Sequence, residues 1–516
     1  MSSLFSEISC STPATSLVKD VAVIRFMPPP TALASYSVTG VYGDCYGCPP
    51  STIVDNIKVG AASPKCVSFP TNYATDLNFG GPLCSSSLSP FTVKPAQLGI
   101  YEINLVSDEN VGGCEVTFTE YDVDELADDY LPLFFVLAFL LCVAAMRWLW
   151  KMGELRDQEE AASVVEKGGD PLMSPLINTS LMASVDFSEP PSPVSAPQKK
   201  KRINSLDAFR GLALTLMIFV NYGGGGYYFF NHSTWNGLTV ADLLFPWFVW
   251  IMGVTVGVTF KPPPQGELCS KLGQVAARCL RLFSLGLLLN SAGGEGDLST
   301  LRIPGVLQYF AVAYLYINLI VLLIDSRSPT GLVRNASCYC LLGAVSISAY
   351  CYLSYGLPTP GCPLGYSGAG GLYDGAAHPD CTGGSRRHVD AVVLGAGHFY
   401  ADPTCKEVYG CQDYDPEGIV GSLSASFLAF LGLLAGKLLK HKGSSPPSRN
   451  FVFSALAFGS VLLLLGGCLC GFSQNEGPVP VNKNLWSPSF VLVCAGFACV
   501  LFSAFYAAMD LGVGGR

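Results

Sequence analysis

The sequence predicts a polytopic α-helical membrane bundle with a small luminal β-sandwich-like domain at its N-terminal end. Three observations lead there. Half of the 516 residues are hydrophobic and only 13% are charged, against about 25% in an ordinary soluble domain. Apolar runs of about 20 residues, the length that crosses a bilayer as a helix, recur through the last three quarters of the chain. The first quarter lacks them and instead shows short alternating segments. The acidic balance, a net charge of -9, argues against a nucleic-acid surface.

The β-rich domain is placed at residues 1–125. Its alternating runs are Val21–Phe26, Tyr36–Tyr42, Ile53–Val59, Ile100–Val106 and Cys114–Phe118, broken by clusters of Gly, Pro, Asn and Asp, a strand-and-turn pattern typical of a sandwich. Residues 131–150 form the cleanest apolar run and the expected first transmembrane helix. Residues 151–204 begin charged, turn rich in Ser and Pro and end in Lys199, Lys200, Lys201 and Arg202, the composition of a linker. The bundle proper spans 205–511. Eight further spans are expected there, at about Phe209–Tyr222, Val240–Phe260, Val275–Leu289, Pro304–Ile324, Cys338–Leu357, Ile419–Leu439, Phe451–Phe472 and Phe490–Met509, giving about nine in all. A long loop at 358–418 separates the last three.

Basic residues set the orientation, because they concentrate in cytosolic loops. Of the 30 Lys and Arg, twenty fall on one alternate set of loops, five on the other and five in the N-terminal domain. The expectation is a cytosolic linker and C-terminus, with the N-terminal domain and the 358–418 loop on the luminal side. Nine cysteines share that side: Cys45, Cys48, Cys66, Cys84, Cys114, Cys362, Cys381, Cys405 and Cys411. There disulfides persist. Cys45 and Cys48 have the spacing of a zinc or redox motif, but without a second pair they read as a structural disulfide or a free thiol, and no metal site is expected.

Only five histidines are available for chemistry. His441 lies in a Lys-rich turn; His378, His388 and His398 are scattered through the long loop. His232 alone has company. It follows Asn221, Tyr222, the four glycines Gly223–Gly226 and the aromatics Tyr227–Phe230, where glycines permit close backbone approach and aromatic faces suit sugar rings. The plainer reading is an interfacial aromatic belt with His232 capping a helix. Charged residues nearby are Asp207 and Arg210, three apart and able to pair, and Asp242 at the start of the next span. Charges at a membrane edge are functional candidates.

The run Ser205–Phe260 (SLDAFRGLALTLMIFVNYGGGGYYFFNHSTWNGLTVADLLFPWFVWIMGVTVGVTF) strongly resembles the lysosomal transmembrane acetyltransferases of the heparan-alpha-glucosaminide N-acetyltransferase family. Arg302–Gln308 (RIPGVLQ), Tyr414–Gly418 (YDPEG) and Asn475–Ser487 (NEGPVPVNKNLWS) agree. The similarity covers about Arg202–Ser487, with Pro360–Gly383 also alike. The resemblance implies transfer of acetyl from cytosolic acetyl-CoA, as co-substrate, to the terminal non-reducing glucosamine of heparan sulfate in the lysosomal lumen. It places the active histidine on His232 and the asparagine that works with it on Asn221. It further implies a lysosomal, multi-pass protein embedded in membrane lipid, with a homodimer left open as an arrangement.

Physical chemistry gives these residues work to do. A protonated amine cannot attack a thioester, so a base of ordinary imidazole strength is useful in an acidic lumen. His232 could take the amine proton directly or carry the acetyl as an acyl-imidazole. Asn221 could donate to the oxyanion or fix the tautomer. Arg210, Lys271, Arg278 and Arg281 sit at cytosolic span ends, where the phosphates of acetyl-CoA would be met. Asp242, Glu417, Glu476 and Lys483 are the luminal candidates for gripping an aminosugar, the carboxylates for its ammonium and Lys483 for a sulfate.

The family continues past the ninth span with two more helices, to a total of eleven, whereas this sequence ends in Leu511–Arg516, and Met1–Thr12 lack the basic start and apolar core of a signal peptide. An incomplete bundle is the expectation. The rival functional classes are a transporter or permease using the same bundle, and an acetyltransferase acting on a different luminal sugar.

Overall fold

A computed structural model describes residues 5–10, 21–28, 35–58, 64–70, 74–80, 91–95, 100–108, 113–122, 202–264, 266–291, 298–325, 332–442 and 448–511. The expected first span at 131–150, and the linker up to residue 201, lie outside them. The strands are β1 (Ser6–Ile8), β2 (Val21–Phe26), β3 (Ser35–Tyr42), β4 (Ser51–Lys58), β5 (Lys65–Pro70), β6 (Thr75–Gly80), β7 (Phe91–Val93), β8 (Ile100–Asp108) and β9 (Gly113–Asp122). They make a five-stranded sheet in the order β1-β5-β2-β8-β9 and a four-stranded sheet in the order β4-β3-β6-β7. Pairing is antiparallel except between β2 and β8. In β2, inside the five-stranded sheet, Ala22, Ile24 and Phe26 are wholly buried and Val23 nearly so. Phe91 of one sheet meets Phe118 of the other at 6.1 Å.

The alternating runs marked β2, β3, β4, β8 and β9. The three-residue β1 and β7 and the Gly- and Pro-ended β5 and β6 offer too little alternation to stand out. Disulfides join Cys10 to Cys66, Cys45 to Cys48, Cys362 to Cys381 and Cys405 to Cys411. Cys10 was not among the expected partners, and Cys84 lies outside the described residues.

The helices that position the site are α1 (Asn204–Asn221), α2 (Val240–Thr259), α3 (Leu268–Ser291), α4 (Val306–Asp325), α5 (Leu332–Cys351), α6 (Ser385–Leu394), α7 (Ile419–Lys442), α8 (Arg449–Leu469) and α9 (Pro488–Tyr506). Among the described residues seven helices, not the eight expected there, are long and apolar enough to cross a membrane. The exception is α1. It forms where expected, but Asp207, Arg210 and an Asn at each end dilute its apolar character. Buried fractions of 72% for α2 and 78% for α7, against 11% for α3, put the first two at the centre and the third at the rim.

At the centre the backbones of α2 and α7 approach closely, beside large buried side chains such as Trp250 and Phe430. Gly253 and Gly257 of α2 face Gly432 and Gly436 of α7, each pair four residues apart, the small-residue spacing that lets membrane helices touch. A Cβ on Gly253 would lie 2.0 Å from the Ala429 carbonyl oxygen, and one on Gly432 would lie 2.2 Å from that of Trp250. Gly253→Val is therefore expected to cost about 1–3 kcal/mol by forcing α2 off α7. A thermal melt of the detergent-solubilised protein followed by tryptophan fluorescence measures this, and an unchanged midpoint would refute the packing argument.

Candidate active site

His232 is delivered by a turn that only glycine can make. After α1 ends, Gly223, Gly224, Gly225 and Gly226 take φ values of 91°, 56°, 70° and 76°, a run of left-handed backbone that costs any residue with a Cβ. The chain then passes through Tyr228–Phe230 and reaches His232 ten residues before Asp242. Thr239 and Asp242 stand as N-cap and third helical residue of α2, a capping box. The Thr239 amide and hydroxyl donate to Asp242 Oδ2 at 3.2 and 3.0 Å, as does the Ser233 amide at 3.1 Å. Oδ1 is left for the imidazole, whose Nδ1 lies 2.7 Å away.

The resulting group has a defined polarity. Asp242 is wholly buried, whereas the His232 side chain is 38% exposed. With Nδ1–H donating to the carboxylate, the neutral ring presents its lone pair at Nε2. Lys483 brings its ammonium within 3.0 Å of Nδ1, 3.4 Å of Nε2 and 3.6 Å of Asp242 Oδ1. The loop carrying Lys483 is fixed on both sides. Asn482 Nδ2 donates to Asn236 Oδ1 at 3.0 Å, and Asn484 Nδ2 to Thr404 Oγ1 at 3.2 Å.

A cleft of about 460 Å³ opens beside His232. Its walls come from four places: Tyr42 and Asp44 at the end of β3, Pro70 at the end of β5, the His232 turn, and the segment that carries Asp402 and Glu407. Asp44 accepts a short hydrogen bond from the Thr234 hydroxyl, and its carbonyl accepts from Tyr409 Oη at 2.9 Å. The disulfides Cys45–Cys48 and Cys405–Cys411 lie in the cluster beneath, with Trp235, Tyr409 and Tyr414. Sequence reading missed Asp44, Asp402 and Glu407, since nothing local connects residues so far apart.

At the other end of α2 lies a larger cavity of about 840 Å³. Arg210, Lys261, Lys271 and Arg278 line it, among apolar residues such as Phe248 and Phe310. Arg210 pairs with Asp207 at 3.6 Å and donates to the Thr255 hydroxyl. Arg278 lies over the Tyr314 ring at 4.5 Å. Asp242 and Thr259 bracket roughly 26 Å of α2 at about 1.5 Å per residue, so this cavity and the His232 cleft mark opposite ends of one helix. One turn beyond Asp242, Phe245 stands edge-on to Phe310, at 5.4 Å, and to Trp486, at 5.4 Å.

The structure distributes the remaining candidates more widely. Arg281 is exposed and turns back to the Ala277 carbonyl of its own helix, outside the cavity lining. Asn221 is exposed at the end of α1, and among the described residues no hydrogen bond joins it to His232. Glu417 is held by Arg302 at 2.7 Å, and Asp415 engages the same guanidinium through both oxygens at 2.7 and 2.8 Å. Burial and the neighbouring Asp415 push the Glu417 carboxyl up, while Arg302 and Lys483 oppose them. Glu476 accepts from Tyr46 Oη at 3.2 Å, a link to the N-terminal domain away from the imidazole. Among the described residues no three His, Cys, Asp or Glu side chains gather as a metal site.

No family profile matches the sequence. Heparan-alpha-glucosaminide N-acetyltransferase of Homo sapiens is 32% identical over 491 residues, covering 90% of this chain and 74% of that enzyme. The Mus musculus enzyme of the same name is 32% identical over 496 residues, covering 91% and 74%. A likeness of this extent spans the sheet domain and the bundle alike, and the chain belongs to the heparan-alpha-glucosaminide N-acetyltransferase family.

Proposed function

We propose that the protein transfers acetyl from acetyl-CoA to the free amine of the terminal non-reducing glucosamine of heparan sulfate, across the lysosomal membrane. In this reading residues 1–125 and the 358–418 loop face the lumen, 131–150 is the first transmembrane helix, and 151–204 is a cytosolic linker. The bundle of 205–511 joins the two compartments. Acetyl-CoA enters the basic cavity from the cytosol and the aminosugar enters the His232 cleft from the lumen. The observation that carries the reading is the pairing of these two openings at opposite ends of α2, one lined by cations and the other by an imidazole with buried carboxylate support.

The chemistry follows from the placement. Arg210, Lys271 and Arg278 offer charge-assisted hydrogen bonds to phosphates, while the apolar wall at Phe248 and Phe310 suits the uncharged arm of the donor. Asp242 fixes the tautomer of His232, so that Nε2 can receive the amine proton or the acetyl group. Both roles need a neutral ring, and both end in an amide and a free thiol. Exchange of label between acetyl-CoA and CoA without acceptor separates the two routes, because only an acyl-enzyme supports it.

Reversing the charge at the cavity tests the donor site. Arg278→Glu is expected to raise the KM for acetyl-CoA about tenfold or more, with the KM for glucosamine unchanged, since it replaces a phosphate partner with a repulsive group. Steady-state kinetics on membranes carrying the variant measure both constants. An unaltered acetyl-CoA KM would remove the cavity from the reaction.

A further inference from the structure

We propose that Lys483 is a catalytic residue of the transfer step, its ammonium receiving the negative charge that develops on the thioester carbonyl oxygen. The proposal rests on the reading of His232 as the reacting base or nucleophile, and it replaces the sulfate-gripping role expected for Lys483 from sequence.

Four observations support it. The first is position: Nζ stands against the ring, 3.0 Å from Nδ1 and 3.4 Å from Nε2, so a carbonyl brought to the lone pair at Nε2 places its oxygen within reach of the ammonium. The second is how Asp242 is occupied. Its Oδ2 takes three donors, and its Oδ1 accepts from the ring at 2.7 Å but stands 3.6 Å from Nζ, longer than a hydrogen bond. The carboxylate thus balances the ammonium without claiming its protons. The third is direction, since the side chain is only 15% exposed and turned to the imidazole.

The fourth is rigidity. Asn482 and Asn484, on either side, are buried and hydrogen-bonded, and the Trp486 amide donates to the Lys483 carbonyl at 3.1 Å. Charge stabilisation is effective when the donor is held in place before the charge appears. Among the described residues no hydrogen bond joins Asn221 to the ring.

The step balances in electrons and protons. The acceptor nitrogen forms its bond to the acetyl carbon, the carbonyl π pair moves onto oxygen, and Lys483 donates an N–H to that oxygen. His232 Nε2 holds the proton lost by the amine. On collapse the pair returns, the C–S bond breaks, and the departing thiolate takes the proton from the imidazolium. When Nε2 itself is acylated, the same oxygen carries the charge and Lys483 serves in the same way.

Lys483→Gln is expected to lower kcat about 10²–10³-fold, with KM for acetyl-CoA and for glucosamine within about threefold of native. Lys483→Arg keeps the charge, and with it the balance of Asp242, but moves the donor. It is expected to lower kcat about tenfold at unchanged KM, and it reads out the proposal even where the glutamine variant fails to fold. Native kcat in either folded variant, or a KM rise confined to sulfated acceptors, overturns the role. His232→Ala in parallel keeps the two readings apart: if it retains activity the site itself is misassigned, whereas if it is inactive and the Lys483 variants turn over normally only this proposal falls.

Discussion

Replacing His232 by Ala is expected to lower acetyl transfer by about 10²–10⁴-fold in kcat, the range attached to losing a positioned base. The loss should be catalytic rather than structural. The ring is 38% exposed and its polar contacts run to Asp242 and Lys483, so its removal leaves the buried carboxylate still held by Ser233, Thr239 and the nearby ammonium. The thermal midpoint should accordingly move little, on the scale of the ~1 kcal/mol that one exposed polar contact contributes. Labelled acetyl-CoA with free glucosamine, assayed on membranes carrying native and variant protein, gives the ratio. Activity within tenfold of native, in protein that melts normally, would show that the imidazole is not the reacting group.

The legible parts of this protein were those written in local patterns. Apolar runs of bilayer length gave the spans, because a helix in lipid must satisfy its backbone internally and needs about 20 residues to cross. The outcome at α1 shows the limit of that signal, since Asp207 and Arg210 sit within a real helix whose partner contacts, Thr255 among them, are not local. His232 was singled out by the glycine run before it. Its link to Asp242 was not legible, since the spacing of Thr239 and Asp242 suits a capping box and does not disclose that the capping carboxylate also binds the imidazole.

What sequence withheld was long-range assembly. Lys483 lies 251 positions from His232, and Asp44 lies 190 from Thr234, so their meeting depends on how β3, the Cys405–Cys411 loop and the segment before α9 fold over one end of the bundle. Glu417 shows the converse. Its charge and position suggested substrate binding, and the structure adds Arg302, invisible as a partner at that separation, which holds it. The glycines of α2 and α7 occupied a recognisable spacing, and only the contact of Gly253 with the Ala429 carbonyl gives it meaning.

The largest stability and activity effects are expected to converge on Asp242, and two substitutions separate them. Asp242→Asn keeps the shape and one carbonyl oxygen, so the Thr239 and Ser233 donors can still be accepted and α2 stays capped. It removes the charge and can turn an N–H toward Nδ1, which would leave the ring with its proton on Nε2 and no lone pair facing the cleft. The serine-protease triad, where the same exchange costs about 10⁴ in kcat through the wrong tautomer, sets the scale. A loss of about 10²–10⁴ is expected here, in a protein that still folds but melts below native because Lys483 has lost its counter-charge. Asp242→Ala goes further by emptying a wholly buried position. Beyond the charge that both substitutions take from Lys483, it strips the Ser233 and Thr239 donors of their acceptor, each unmet buried group costing about 1–3 kcal/mol. Asn should therefore be folded and nearly inactive, and Ala unstable. A folded, active Asn variant would mean that the carboxylate serves only as a helix cap, and the orientation of His232 would then have to come from Lys483 alone.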